Sequence, residues 1–154
     1  MARRRIEGNR TGSTLEQSVE ALIEQAGYDL VPSAPLFFAL RDMEQAIYAS
    51  QCETGRDIYG IRRRVDFILY HPRKWPESLV IQCKWQASGG TVDQKYPFEV
   101  LSINADGYPA IIVLDGGGYT AGSAQWLRNQ AGKNRLRHVF TLGDFQRFAS
   151  RGEL

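Results

Sequence analysis

Two β-rich stretches of this sequence carry polar side chains that buried strands usually exclude. Asp66 lies within residues 64–70, and Gln82 and Lys84 lie within residues 79–85. Side chains two residues apart on a strand point to the same face, roughly 7 Å apart, so Gln82 and Lys84 would flank one spot. If the two stretches pair as a hairpin, Asp66 reaches that spot too. An acid, an amide oxygen and an ammonium group around one point suit metal-assisted hydrolysis of a phosphodiester.

The same residues also have a simpler interpretation. In it, Lys84 ends a strand with its amine in solvent, and Asp66 pairs with Arg64 or Lys84. The cost of burying an ammonium group without purpose, in an apolar strand that ends at Trp85, favours the functional interpretation. The spacing alone leaves both open.

Glu16, in the first predicted helix, adds a second acid. Ser13 and Glu16 fit the Ser-x-x-Glu capping box, in which Glu16 reaches back to the amide of Ser13. Glu16 also lies beside the apolar stripe of that helix, where it can face a cleft at the edge of the core, whereas Glu20 is turned further toward solvent. Glu16 is therefore a candidate metal ligand, with the helix cap as its alternative role.

The composition predicts one ordinary globular domain. The chain has 154 residues and a net charge of +2, which is long enough for a core without disulfides or a structural metal. We expect a basic tail over residues 1–12 and a single domain over residues 13–154. The arginine triplets at 3–5 and 62–64 are compatible with phosphate contact, although such runs are more often solvated surface.

Cysteine usage and hydropathy exclude several classes of protein. Cys52 and Cys83 have neither the spacing of a zinc site nor that of a redox pair, so we expect reduced thiols in a cytoplasmic protein. The basic N-terminus is not followed by an apolar signal-peptide segment. The longest apolar runs, 36–40 and 110–114, are too short to cross a bilayer.

The elements that must position these residues follow from periodicity and chain breakers. A helix is predicted to begin at Ser13, bury an apolar stripe and end at Gly27 as its C-cap. The pattern further predicts helices from about Asp93, over 123–131 and capped by Asp144, and strands over 36–40 and 46–52 (or one strand with a helical insert near 42–45), 65–70, 79–85, 110–114 and 138–142. This order predicts an α/β fold, a mixed β-sheet flanked by helices on both faces.

With these elements in place, the chain resembles the PD-(D/E)xK nuclease superfamily, which has the restriction-endonuclease-like fold. Asp66 matches the acid of the PD position, and Gln82-x-Lys84 matches (D/E)xK. Gly12-x-x-x-Glu16 resembles the first helix of archaeal Holliday junction resolvases, whose glutamate joins the metal site. Similarity to small bacterial and phage members extends over nearly the whole chain, through residues 58–60, 63–67, 82–86, 90–97, 114–119, 126–127 and 140–148.

Two residues depart from the family motif. Val65 stands in place of the proline, which affects only the local bend. Gln82 replaces the acid, as in Mrr-type restriction enzymes, which resemble this segment. An amide oxygen still ligates Mg²⁺ or a bound water, but the site loses one negative charge, so metal affinity should fall unless Glu16 compensates.

The resemblance implies a Mg²⁺-dependent DNA endonuclease, with Mn²⁺ as a substitute cation. Asp66, Gln82, the carbonyl of Cys83 and Glu16 would hold one or two cations, directly or through water. Lys84 would orient or deprotonate the attacking water. A homodimer is expected, because cutting both strands requires two such sites.

Arg64, Lys95 and Gln86 are the candidate phosphate contacts, with a solvated surface position as the alternative for Lys95 and Gln86. The alternative function is a DNA-binding or accessory module in which Gln82 marks a weakened or lost active site. A third possibility, an α/β domain with no role in nucleic-acid chemistry, is disfavoured by the convergence of the motif residues. The sequence leaves open whether the substrate is a specific duplex site, a junction or single-stranded DNA.

Overall fold

The computed structural model describes residues 10–85, 95–118 and 120–154. Its helices are α1 (Arg10–Gln25), α2 (Ala34–Leu40), α3 (Tyr96–Asp106), α4 (Ala121–Gln130) and α5 (Leu142–Ser150). Its strands are β1 (Asp29–Leu30), β2 (Ile47–Arg56), β3 (Arg62–His71), β4 (Trp75–Trp85), β5 (Ala110–Asp115) and β6 (Leu136–Phe140). Among these helices, none is both long and apolar enough to cross a membrane.

The strands form one mixed sheet whose spatial order follows the chain. β2, β3 and β4 are antiparallel neighbours, whereas β4, β5 and β6 run parallel. Parallel neighbours need crossover connections, which α3 and α4 supply. The short β1 adds a parallel pair beside β2.

Helices cover both faces of this sheet, so it has two apolar cores. One face packs against α1 and α5, which contribute Leu15, Val19, Ile23, Phe145 and Phe148. The other packs against α2, α3 and α4, which contribute Phe37, Tyr96, Val100, Ile103, Ala124 and Leu127. Residues 110–114 of β5 are at most 1% exposed, as expected for a strand covered on both faces. The predicted α/β fold class is confirmed.

The prediction of a strand over 36–40 is wrong, because this run lies in helix α2. The Ser33 side chain accepts a hydrogen bond from the Leu36 amide at 3.3 Å, and Pro35 lies in the first turn. Both features start a helix. A short run of consecutive apolar residues has no periodicity that separates a strand from a buried helix. Residues 42–45 form a turn and bends rather than a helical insert.

The predicted ends of α1 are half correct. The helix begins at Arg10, so Ser13 lies inside its first turns and is not the N-cap, and Glu16 is not part of a capping box. At the other end, Gly27 has φ of +98° and donates its amide to the Glu24 carbonyl, while the Tyr28 amide reaches the Ile23 carbonyl. This is the Schellman pattern that a C-terminal glycine favours.

Two later boundaries differ from the sequence prediction. Thr141, not Asp144, is the N-cap of α5, and Asp144 is the third helical residue of its capping box. The last strand is Leu136–Phe140, two residues earlier than predicted. Helix α3 has Pro97 in its first turn as predicted, while Asp93 lies outside the described residues.

Candidate active site

Strands β3 and β4 separate at Asp66. Their backbone pairing includes Phe67 opposite Ile81 and continues toward the turn of the hairpin. On the other side of this pair, β3 continues beside β2 and β4 continues beside β5. The predicted hairpin is confirmed. Its two strands separate beyond the Phe67–Ile81 pair. We call the opening there, between Asp66 on β3 and residues 82–84 on β4, the fork.

Side chains replace the backbone ladder at the mouth of this fork. The Gln82 Oε1 atom accepts a hydrogen bond from the Asp66 amide at 3.0 Å, and Asp66 Oδ2 accepts one from the Cys83 amide at 2.8 Å. Both side chains are therefore fixed by the strand opposite. Because a strand residue directs its amide and carbonyl to the same side, the Cys83 carbonyl also faces the fork.

Helix α1 brings Glu16 to the same place. The Gln51 Nε2 atom, on β2, donates hydrogen bonds to Glu16 Oε2 and to Asp66 Oδ1, each at 3.3 Å. The two carboxylates predicted from the sequence are thus joined through one amide group. Gln51 was not predicted from the sequence.

The surroundings of the fork disfavour the ionised form of its carboxyl groups. Burial raises the pKa of Asp66, although the Cys83 amide and the charge of Lys84 oppose that shift. Burial and then the charge of Asp66 raise the pKa of Glu16. The Cys83 thiol has a pKa well above its ordinary value, chiefly because of burial, so its carbonyl rather than a thiolate is the available donor. A positive charge placed among these groups would be stabilised.

Gln82 and Lys84 share one face of β4, as their spacing predicted, and both reach Glu99 on α3. Lys84 Nζ lies 3.6 Å from Glu99 Oε2, and the Gln82 side chain is hydrogen-bonded to the same carboxylate. Burial raises the pKa of Glu99, but the charges of Lys84 and Arg63, together with hydrogen bonds from Arg63 and Gln82, hold that pKa below its ordinary value. Glu99 is thus the acid that neighbours Lys84 in an ion pair.

Arg63 links this site to the rest of α3. Its guanidinium lies 3.0 Å from Glu99 Oε1 and 3.3 Å from Asp106 Oδ2, and its side chain is only 6% exposed. Glu99 and Asp106 fall on the same helical stripe as the buried Val100 and Ile103, and an acid within an apolar stripe is the signal that sequence reasoning missed. The sequence shows Arg63 only as one member of a triplet.

Comparison with known families agrees with this geometry. A family model described as a PD-(D/E)XK nuclease superfamily domain matches residues 7–153. The chain belongs to the PD-(D/E)XK nuclease superfamily. Neither the curated proteins nor the solved structures contain a significant match to it. The six-stranded mixed sheet with five described helices agrees with the restriction-endonuclease-like fold of PD-(D/E)XK nucleases.

The candidate DNA contacts of this PD-(D/E)XK domain lie at its surface. Arg64 is exposed on β3, two residues from Asp66, and Lys95 is exposed immediately before α3. Both side chains are accessible to a phosphate group. Gln86 lies outside the described residues.

The donor atoms of the fork are compatible with a divalent cation, which PD-(D/E)XK nucleases typically use. Among the described residues, no three His, Cys, Asp or Glu side chains form a ready-made metal cluster. The fork instead offers two carboxylates, from Glu16 and Asp66, together with the amide oxygen of Gln82 and the carbonyl of Cys83. These are all oxygen donors, as hard cations prefer. Burial is the first cause of the raised pKa of both carboxyls, and repulsion from a neighbouring carboxylate adds to it, from Asp66 at Glu16 and from Glu99 at Asp66.

Proposed function

We propose that this PD-(D/E)XK domain is a Mg²⁺-dependent DNA endonuclease and that the fork at Asp66 is its active site. The observation that supports this most directly is that Glu16, Asp66 and Gln82 lie together at the fork. The positive charge of Lys84 acts on the carboxyls of both Glu16 and Asp66. These groups come from α1, β3 and β4, so no single local motif accounts for their meeting.

Each residue of the fork has a role in this proposal. Glu16 and Asp66 hold the cation, with the Gln82 amide oxygen and the Cys83 carbonyl as neutral donors. When bound, the cation acts as a Lewis acid toward the phosphate and lowers the pKa of a coordinated water. Lys84, kept at the fork by Glu99 at 3.6 Å, orients the attacking water and offsets the charge of the phosphate.

Arg64 and Lys95 contact neighbouring phosphates of the DNA in this proposal. Their support is exposure together with positive charge: Arg64 follows the same strand as Asp66, and Lys95 precedes the helix that carries Glu99. Phosphate contacts of this kind fix the position of DNA without reading its sequence. We also propose that the enzyme is a homodimer and that it acts in the cytoplasm.

A second candidate function is a DNA-binding or accessory module without catalysis. The observation that favours it is Gln82, which gives the fork one carboxylate fewer than the motif. Its amide is already engaged at both ends, by the Asp66 amide and by Glu99. In this alternative the chain binds DNA through the same basic side chains but does not cleave it.

The deciding experiment incubates the purified protein and supercoiled plasmid with Mg²⁺, Mn²⁺ or EDTA. We expect plasmid cleavage that EDTA abolishes and that falls at least about 100-fold in Asp66→Asn and Lys84→Ala, because each removes a charged group at the phosphate. Asp66→Asn keeps an oxygen for the Cys83 amide, which protects the fold.

Matched controls are Asp29→Asn, an exposed acid bonded to Gln45, and Lys133→Ala, an exposed lysine; both should cleave normally. Full activity in Asp66→Asn or Lys84→Ala would contradict the assignment. Wild-type protein that binds DNA but leaves the plasmid intact with either metal would support the accessory module instead.

A further inference from the structure

Gln51 adopts a backbone conformation that its side chain does not favour. Its φ of +51° lies in the left-handed region, which residues other than glycine rarely occupy. The register of β2 and β3 passes from Ser50 opposite Phe67 to Cys52 opposite Val65, without a pair between Gln51 and Asp66. The strained residue is therefore the one that faces Asp66 across the hairpin.

The side-chain amide of Gln51 lies between the carboxylates of Glu16 and Asp66. Its Nε2 atom lies 3.3 Å from Glu16 Oε2 and 3.3 Å from Asp66 Oδ1. A primary amide has two N–H donors, so one amide can serve both acids. The negative charge of each carboxylate disfavours the other, and the partly positive NH₂ group between them reduces that repulsion.

We propose that Gln51 is a positioning residue that occupies the cation position in the metal-free site. Its amide holds Glu16 and Asp66 on either side of one point, and an entering divalent cation displaces it from that point. The inference rests on the proposed metal site. It adds that the side-chain amide of Gln51 and the metal exchange places between the two carboxylates.

This exchange has a thermodynamic consequence. Whatever stabilises the metal-free state alone weakens the apparent affinity for the metal. Gln51 therefore lowers metal affinity while keeping the two carboxylates together before the metal arrives. If Gln51 were a direct ligand, it would raise metal affinity. Whether metal affinity rises or falls when Gln51 is replaced therefore separates the two roles.

The test is calorimetric titration of the full chain with Mn²⁺, and then with Mg²⁺, in wild type and Gln51→Gly. Glycine accepts the positive φ, so the variant is expected to fold. Removing two long hydrogen bonds from the metal-free state should tighten Mn²⁺ binding by roughly threefold to tenfold. The rise in melting temperature on adding Mn²⁺ should grow accordingly. Gln51→Asn, which tolerates the same backbone but has a shorter side chain, should lie between the two.

Ser78→Gly is the matched control for relief of backbone strain. Ser78 is the other non-glycine residue with positive φ in the described ranges, at +78°, and it lies on β4 near Arg41, away from the fork. It should leave Mn²⁺ affinity unchanged, whatever its effect on melting temperature.

Two outcomes with metal-binding wild-type protein would overturn the inference while leaving the proposed function intact. Unchanged affinity in Gln51→Gly would make Gln51 a bystander, and weaker affinity would make it a ligand. Absence of Mn²⁺ binding in wild type would overturn the metal site and this inference together.

Discussion

Gln82 is the residue at which this chain departs most clearly from its superfamily motif, and its neighbours give a physical reason. Its oxygen accepts from the Asp66 amide, and its side chain is also hydrogen-bonded to Glu99. A glutamate at the same position would face the Glu99 carboxylate with an oxygen and lose that hydrogen bond. Glutamine therefore suits a fork in which a neighbouring helix already supplies a buried acid.

Glu16 is the single residue whose role the sequence left most open, and Glu16→Gln tests it. Loss of one carboxylate from a site with few charges should weaken Mn²⁺ binding on the order of tenfold or more, measured by calorimetry. The helix begins at Arg10, so no cap is lost. Glu44→Gln, an exposed acid, is the control and should bind Mn²⁺ normally. Normal binding by Glu16→Gln would remove Glu16 from the site.

The same variant carries a prediction about pH in metal-free protein. Because the folded-state pKa of Glu16 is raised above its ordinary value of 4.5, the stability that its carboxyl contributes is present below that value. It is lost as pH rises through the raised pKa. Glu16→Gln lacks this loss, so its melting temperature relative to wild type should increase as the pH rises above 4.5. Scanning calorimetry in EDTA measures both melting temperatures as a function of pH. A constant difference between the two proteins over this range would contradict the raised pKa of Glu16.

At the scale of elements, the β2–β3 hairpin is fastened to α3 by buried polar groups. Arg63 on β3 bridges Glu99 and Asp106, and Thr54 on β2 donates to Asp106 Oδ2 at 3.0 Å. Since Glu99 also contacts Lys84, the attachment of the hairpin and the position of the lysine depend on the same helix. Movement of α3 would therefore displace Lys84 from the candidate active site.

Gly55→Ala tests this attachment. The Cβ atom added at Gly55 would clash with Asp106 Oδ1, and the Asp106 side chain is only 2% exposed and held by Arg63. We expect a loss of about 1–3 kcal/mol in the free energy of unfolding by urea. Gly122→Ala is the control, because a Cβ in this α4 position meets nothing within 4 Å. It should add up to about 1 kcal/mol. Equal stability of Gly55→Ala and wild type would show that α3 adjusts freely.

At the scale of the whole molecule, the fork described here is one site, while duplex DNA has two strands to cut. We therefore expect a homodimer with about twice the chain mass of 17.4 kDa, measured by light scattering after gel filtration. Wild-type protein should convert supercoiled plasmid to linear DNA with little nicked intermediate. Mixing it with excess Asp66→Asn should shift the product toward nicked circles, because mixed dimers cut one strand. A monomeric mass at micromolar concentration would contradict this prediction.

The sequence predicted the fold class and five groups that the structure brings to the fork, from Glu16, Asp66, Gln82, Cys83 and Lys84. The continuous apolar run 110–114 predicted a strand covered on both faces, and β5 is that strand. The two-residue period of a strand places Gln82 and Lys84 on one face, and both do reach Glu99. Gly27 ended α1 as predicted, because glycine accepts the positive φ of a Schellman motif at no steric cost. These features depend on neighbours along the chain, which a sequence contains.

The remaining contacts of the fork arise only when distant elements pack together. One error had a local cause: residues 36–40 lie in a helix that Ser33 caps, a signal that the sequence itself contains. Gln51 faces Asp66 because the pairing of β2 with β3 sets the two residues opposite each other. Glu99 joins Lys84 because a crossover helix returns across the sheet. Each of these contacts joins groups between 15 and 35 positions apart in the chain, except the local cap. Hydrophobic periodicity describes one helix or strand at a time. It therefore does not predict which distant elements pack together.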